Sequence, residues 1–94
     1  MTVRYEHRIV RIPPGCPLAY DEATWRDALV VVAYGNVEVE GRAGGRRRFR
    51  RGAVLFLTGL GLRALHNRGP EPAVLVAVRR AQPVVPYTCI SNSE

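Results

Sequence analysis

A single all-β domain, a barrel or sandwich of about seven short strands, is the fold class the sequence predicts. Short apolar runs rich in Val and Leu recur along the chain, with Gly- and Pro-containing turns at roughly eight- to twelve-residue intervals. The one segment with helical spacing also contains Val30-Val31-Val32, a β-branched run that favours a strand. The 94 residues can bury one core but not two, and no repeat or linker divides them.

Residues 3–12 mix charged and apolar side chains and stop at Pro13-Pro14-Gly15, which predicts an edge strand closed by two prolines. Residues 13–24 read as a loop. Next, Asp21 is placed to cap a helix, with Trp25, Ala28, Leu29 and Val32 at helical spacing. The valine run closed by Gly35 decides instead for a strand over 27–34. After a turn at Gly35-Asn36, Val37 and Val39 alternate with Glu38 and Glu40, as in a half-exposed strand. Residues 41–45 form a hairpin turn, and 46–51 return opposite Glu38 and Glu40. Further strands are predicted over 53–57, 62–67 and 73–80. The tail, 81–94, carries Val84, Val85, Tyr87 and Ile90 and is expected to dock or contribute to a dimer, with its last residues frayed.

The stretches 28–33 and 73–78 are apolar at successive positions, hence on both faces of a strand. A sheet needs only one apolar face for its core. The first strand, the tail or a second copy of the chain must cover the other, and a homodimer is expected.

Charge and composition exclude some classes. The net charge is +6, and all 14 basic residues are arginine. The codon usage of a GC-rich genome accounts for that bias, although arginine also allows bidentate anion recognition. No apolar run approaches the ~20 residues of a membrane span, and the first fourteen residues lack the apolar core of a secretory signal. A cytoplasmic protein without a membrane partner is expected. Cys16 and Cys89 lie in opposite terminal segments, and their spacing does not say whether they pair.

Two stretches resemble the paired motifs of the cupin family. Gly35 closes an apolar run as the first motif ends, and Gly52 and Asn67 bracket the second, with Phe49 at a familiar apolar position. The stretch N-R-G-P-E-P-A-V-L-V-A-V, from Asn67, is similar to the approach to the last strand of small cupins. The resemblance spans residues 27–80 and implies a cupin-like β-barrel, the double-stranded β-helix or jelly roll. It also implies a metal held by histidines and a carboxylate, but the matching positions depart from that pattern. Glu22 and Thr24 stand for the first two histidines, Ala28 for the glutamate and Arg63 for the last histidine. An alanine supplies no ligand, and a cationic arginine repels a divalent ion. The expectation is a metal-free cupin without a cofactor.

What remains is a scaffold that can hold a small organic ligand in its barrel, in a sensor or accessory role. The candidate ligand-binding residues are Arg63, Glu22, Thr24, Trp25, Tyr34 and Asn67. Arg63, if turned inward, needs a partner, and Glu22 is the candidate; strand alternation then turns His66 outward. His7 has no linked ligand. Two alternatives stay open. One is a metal-independent isomerase or cyclase using His66 or Glu22 as general acid or base. The other is an Arg-rich module for nucleic acid or another anionic partner, from Arg42, Arg46, Arg47, Arg48, Arg50 and Arg51. Alternation splits those arginines between two faces, and no nucleic-acid-binding motif accompanies them, so nucleic acid is the weaker reading.

Overall fold

A computed structural model describes residues 4–81. Eight antiparallel strands and one helical turn follow in order: β1 (Tyr5–Ile12), β2 (Pro17–Ala19), α1 (Glu22–Trp25), β3 (Leu29–Tyr34), β4 (Asn36–Gly41), β5 (Arg46–Arg50), β6 (Val54–Phe56), β7 (Leu62–His66) and β8 (Ala73–Arg80). They form two four-stranded sheets, ordered β1-β8-β3-β6 and β2-β7-β4-β5. The all-β prediction holds, and β1 lies at a sheet edge as its sequence implied. Two short elements were not anticipated. The reading of 13–24 as loop passes over β2, which pairs with β7, and the helical spacing at Asp21 survives only as the single turn α1.

The chain changes sheet at Gly35, so β3 and β4 make a corner rather than a hairpin. Gly35 has φ +72°, and a Cβ there would sit 2.6 Å from the Pro72 carbonyl oxygen. Only glycine meets both demands. A register shift in β3 between Val32 and Tyr34 bends the strand into this corner.

Strand alternation fills the space between the sheets. Val30, Val32 and Leu75 from the first sheet meet Val37, Val39 and Leu65 from the second, all at 7% exposure or less. Trp25, Leu57 and Ile12 belong to the same core. The interior is therefore occupied by apolar side chains, aliphatic apart from Trp25.

The opposite face of the first sheet is apolar as well. Ile9, Val76, Val31 and Val54 stand side by side across all four strands. One step along, Val78, Leu29 and Phe56 form a second row. Nothing among the described residues covers them: Ile9 is 71% exposed, Val54 61% and Leu29 53%. β1, a candidate cover, instead extends this face at its edge. The second sheet turns a polar face outward, where Glu38 opposes Arg48 and Glu40 opposes Arg46.

Candidate functional site

The six candidate residues fall into two groups at opposite ends of β7. Glu22, Thr24, Trp25 and Arg63 gather at one end, because β2 leads into α1 there and the Tyr20 amide donates to the Arg63 carbonyl (2.9 Å). Asn67 lies about 13 Å further along an extended chain. Tyr34 leads into Gly35, which packs on Pro72 and Ala73 near that far end.

At the first end, Tyr20 is the organising residue. Its hydroxyl is 2.8 Å from Glu22 Oε1, to which it donates, and 3.2 Å from the Leu57 carbonyl. Burial first, then the bond to Glu22, push its phenol up to about 12, so it remains a donor at neutral pH. Residues 13–24 showed no pattern that signals this pairing; β2 creates it by setting Tyr20 against β7. Thr24 donates to Asp21 Oδ2 (2.7 Å), which holds the Asp21 carboxyl below the usual range. Trp25 is 2% exposed and belongs to the core. Asp27 takes a left-handed φ of 59°, and its amide donates to Thr58 Oγ1 (2.9 Å), which ties α1 to the β6–β7 turn.

Arg63 does not pair with Glu22. Its side chain is exposed, and its guanidinium donates to the Arg42 carbonyl at 3.3 Å. Instead of the expected ion pair, Glu22 turns to Tyr20 and the Arg63 guanidinium turns to the β4–β5 turn.

At the far end, Asn67 is 1% exposed. Its Nδ2 donates to the carbonyls of Ile12 (2.9 Å) and Glu71 (2.7 Å), and its Oδ1 accepts from the Gly69 amide (3.0 Å). The side-chain amide thus clamps the end of β1 to the β7–β8 turn. Tyr34 is 56% exposed, beneath the Arg51 guanidinium at 5.0 Å from the ring centre.

The metal implied by the sequence resemblance can be tested against these donors. Thr24 is engaged with Asp21, Ala28 is buried without a donor, and Arg63 is cationic. No group of three or more His, Cys, Asp or Glu that could hold a metal ion occurs among the described residues. The residues at these positions do not fit the ion.

The remaining polar groups lie on the outer face of the second sheet. His66 Nε2 is 2.8 Å from Glu40 Oε1, and Glu38 accepts from Arg68, with Arg46 3.7 Å from Glu38 and 3.8 Å from Glu40. These partners hold both carboxyls below the ordinary range; for Glu38 the bond from Arg68 is the largest cause, for Glu40 the bond to His66. Arg48 and Arg68 flank a cleft of about 40 Å³ with Asn36 and Gly69. As alternation required, Arg47 and Phe49 take the other parity, opposite Val39 and Val37. His7 is exposed on β1 opposite Val78, and Cys16 is exposed; Cys89 lies outside the described residues.

No protein-family model and no curated protein sequence matches the chain. Solved structures do. A Cupin 2 conserved barrel domain protein from Salinispora arenicola superposes with a TM-score of 0.62 at 23% identity, over 79% of this chain and 60% of that one. A sugar phosphate isomerase of the cupin superfamily from Silicibacter pomeroyi gives 0.60 at 24%, over 84% and 52%. The Cupin_2 domain of an XRE family transcriptional regulator from Enterobacter cloacae gives 0.58 at 18%, over 85% and 83%. The chain spans under two thirds of the first two proteins.

Proposed function

From a chain with the cupin-barrel fold, we propose a binding module in a sensory or accessory role, which takes a small organic ligand at the Tyr20–Glu22 end of the barrel. The observation that carries this reading is the contrast between a filled apolar interior and one end with half-buried polar groups. Glu22 has one carboxylate oxygen held by Tyr20, and the second, which makes no hydrogen bond or ion pair among the described residues, can receive a ligand hydroxyl or amine. Arg63 stands opposite Tyr20, whose amide donates to its carbonyl, and its guanidinium holds one weak bond, so it can turn toward a ligand carboxylate or carbonyl. The likeness to a regulator's cupin domain is one of fold and motivates the sensory role.

An isomerase reading is less well supported. Of its two candidate acid–base groups, His66 is paired with Glu40 on the outer face of the second sheet and Glu22 is held by Tyr20 at the end of the barrel, so the two do not stand on either side of one substrate-sized space. Binding of anionic polymers is weakened by Glu38 and Glu40, which lie among the arginines of the outer face and pair with Arg46 and Arg68.

The test is a thermal-shift screen of small organic acids, polyols and sugar phosphates on the full chain. A compound that raises Tm in the parent and loses at least about tenfold affinity in both Glu22→Gln and Arg63→Leu supports the proposal. Stabilisation only by polyanions, untouched by either substitution, overturns it.

A further inference from the structure

We propose that the free edge of β5 is a docking site for an extended acidic segment of a partner protein, which adds to the β2-β7-β4-β5 sheet as a further strand. β5 pairs with β4 on one side only. Opposed residues of an antiparallel pair alternate between bonded and non-bonded, and the Gly41 amide donates to the Gly45 carbonyl across the turn (2.8 Å). Counting along β5 from that bonded pair makes Val39–Arg47 and Val37–Phe49 bonded and leaves Glu40–Arg46 and Glu38–Arg48 non-bonded. The backbone N–H and C=O groups of Arg46 and Arg48 therefore point away from β4, and they meet no backbone partner among the described residues. Two such residues, about 6.8 Å apart, offer the alternating donors and acceptors that an added strand engages.

Charge selects the occupant. β5 reads R-R-R-F-R, so arginines flank the edge on both faces: Arg46, Arg48 and Arg50 on the outer one, Arg47 beside Phe49 on the other. Arg47, Arg48 and Arg50 pair with no carboxylate among the described residues, and Arg46 stands 3.7 Å from Glu38 and 3.8 Å from Glu40. The other three edge strands differ: β2 and β6 have three residues each, and β1 carries Glu6 among its arginines. A second copy of β5 is rejected, because pairing the two sets arginine against arginine. Glutamates at alternate positions of an added strand instead lie opposite Arg46, Arg48 and Arg50. Glu38 and Glu40 oppose a polyanion lying across the outer face, but an added strand runs two strand spacings from β4, about 9.6 Å, beyond the ~8 Å screening length at physiological salt. A nucleic acid has no ladder of amides and carbonyls to offer the free groups of Arg46 and Arg48, so a peptide is the better match.

Fluorescence anisotropy of the full chain with a labelled peptide of alternating glutamate and valine tests the proposal. Saturable binding in the micromolar range is expected. The double substitution Arg48→Glu/Arg50→Glu, at two exposed side chains outside the core, weakens it by at least ~10-fold. The same peptide with every backbone amide methylated keeps its charges and loses at least ~30-fold, because it cannot donate to the Arg46 and Arg48 carbonyls. Hydrogen exchange needs no variant: the Arg46 and Arg48 amides slow by at least ~10-fold when the peptide is saturating. Absence of saturable binding up to millimolar peptide overturns the proposal. So does undiminished binding of the methylated peptide, an unchanged exchange rate at Arg46 and Arg48, or tighter binding of an oligothymidylate of equal charge.

Discussion

Replacing Asn67 with alanine removes three hydrogen bonds at once, two to carbonyls and one from the Gly69 amide. A typical bond contributes about 1 kcal/mol net, and a buried carbonyl left unpaired costs about 1–3 kcal/mol, so the substitution should cost roughly 3 kcal/mol. For a domain of this size, that lowers Tm by roughly 12–24 °C. Asn67→Asp should be at least as damaging at neutral pH, because it sets a carboxylate oxygen against the Ile12 and Glu71 carbonyls where an NH₂ had donated. Urea unfolding of both variants, followed by far-UV circular dichroism, gives the free energies directly. A loss below ~1 kcal/mol for Asn67→Ala would refute the reading of this residue as a clamp. It would return Asn67 to the pool of candidate ligand contacts.

Gly35→Ala forces a Cβ against the Pro72 carbonyl in a left-handed conformation. It should cost more than about 3 kcal/mol, against about 1–2 for Gly52→Ala, which has φ +93° but open space; comparative urea melts check the difference. The Tyr20 phenol is raised on folding to about 12, so its neutral form is favoured in the folded state. Its contribution is complete below pH 10 and is lost as pH rises toward about 12. Tyr20→Phe should flatten that alkaline slope in unfolding midpoints measured between those values. Glu40 is depressed on folding, so its stabilisation is present above its ordinary value of 4.5 and is lost as pH falls below it. Glu40→Gln should reduce the acid-limb loss of urea midpoint, and an unchanged limb would contradict the assignment.

The strands were legible where apolar alternation is strong, and β8 falls on the predicted residues because every second side chain from Ala73 to Ala77 is core. The uncovered outer face was also legible, since runs such as Val30-Val31-Val32 cannot hide both sides in one sandwich. β2 was not. Three residues after a proline pair carry no periodicity, and their strand character comes from the partner β7. The candidate site was legible only in part. Motif spacing matched Glu22 and Arg63 to vacated ligand positions in the barrel, and it is the structure that sets them at one end of β7. The spacing could not show that Tyr20 captures Glu22, or that the Arg42 carbonyl draws the guanidinium aside. Asn67 was singled out for its place in a motif, and its three partners are distant or turn backbone groups that no local pattern reveals.

In the proposed reading, recognition sits at the Tyr20–Glu22 end while the interior stays closed. Amide chemical-shift mapping by two-dimensional ¹⁵N–¹H NMR, with the compounds that stabilise the protein, tests it most directly. Saturable shifts concentrated at Tyr20, Glu22, Thr24, Asp27, Thr58 and Arg63 are expected. Shifts centred instead on Glu38, Arg48 and Arg68, or on the core residues Val32, Val37 and Leu65, would contradict that reading.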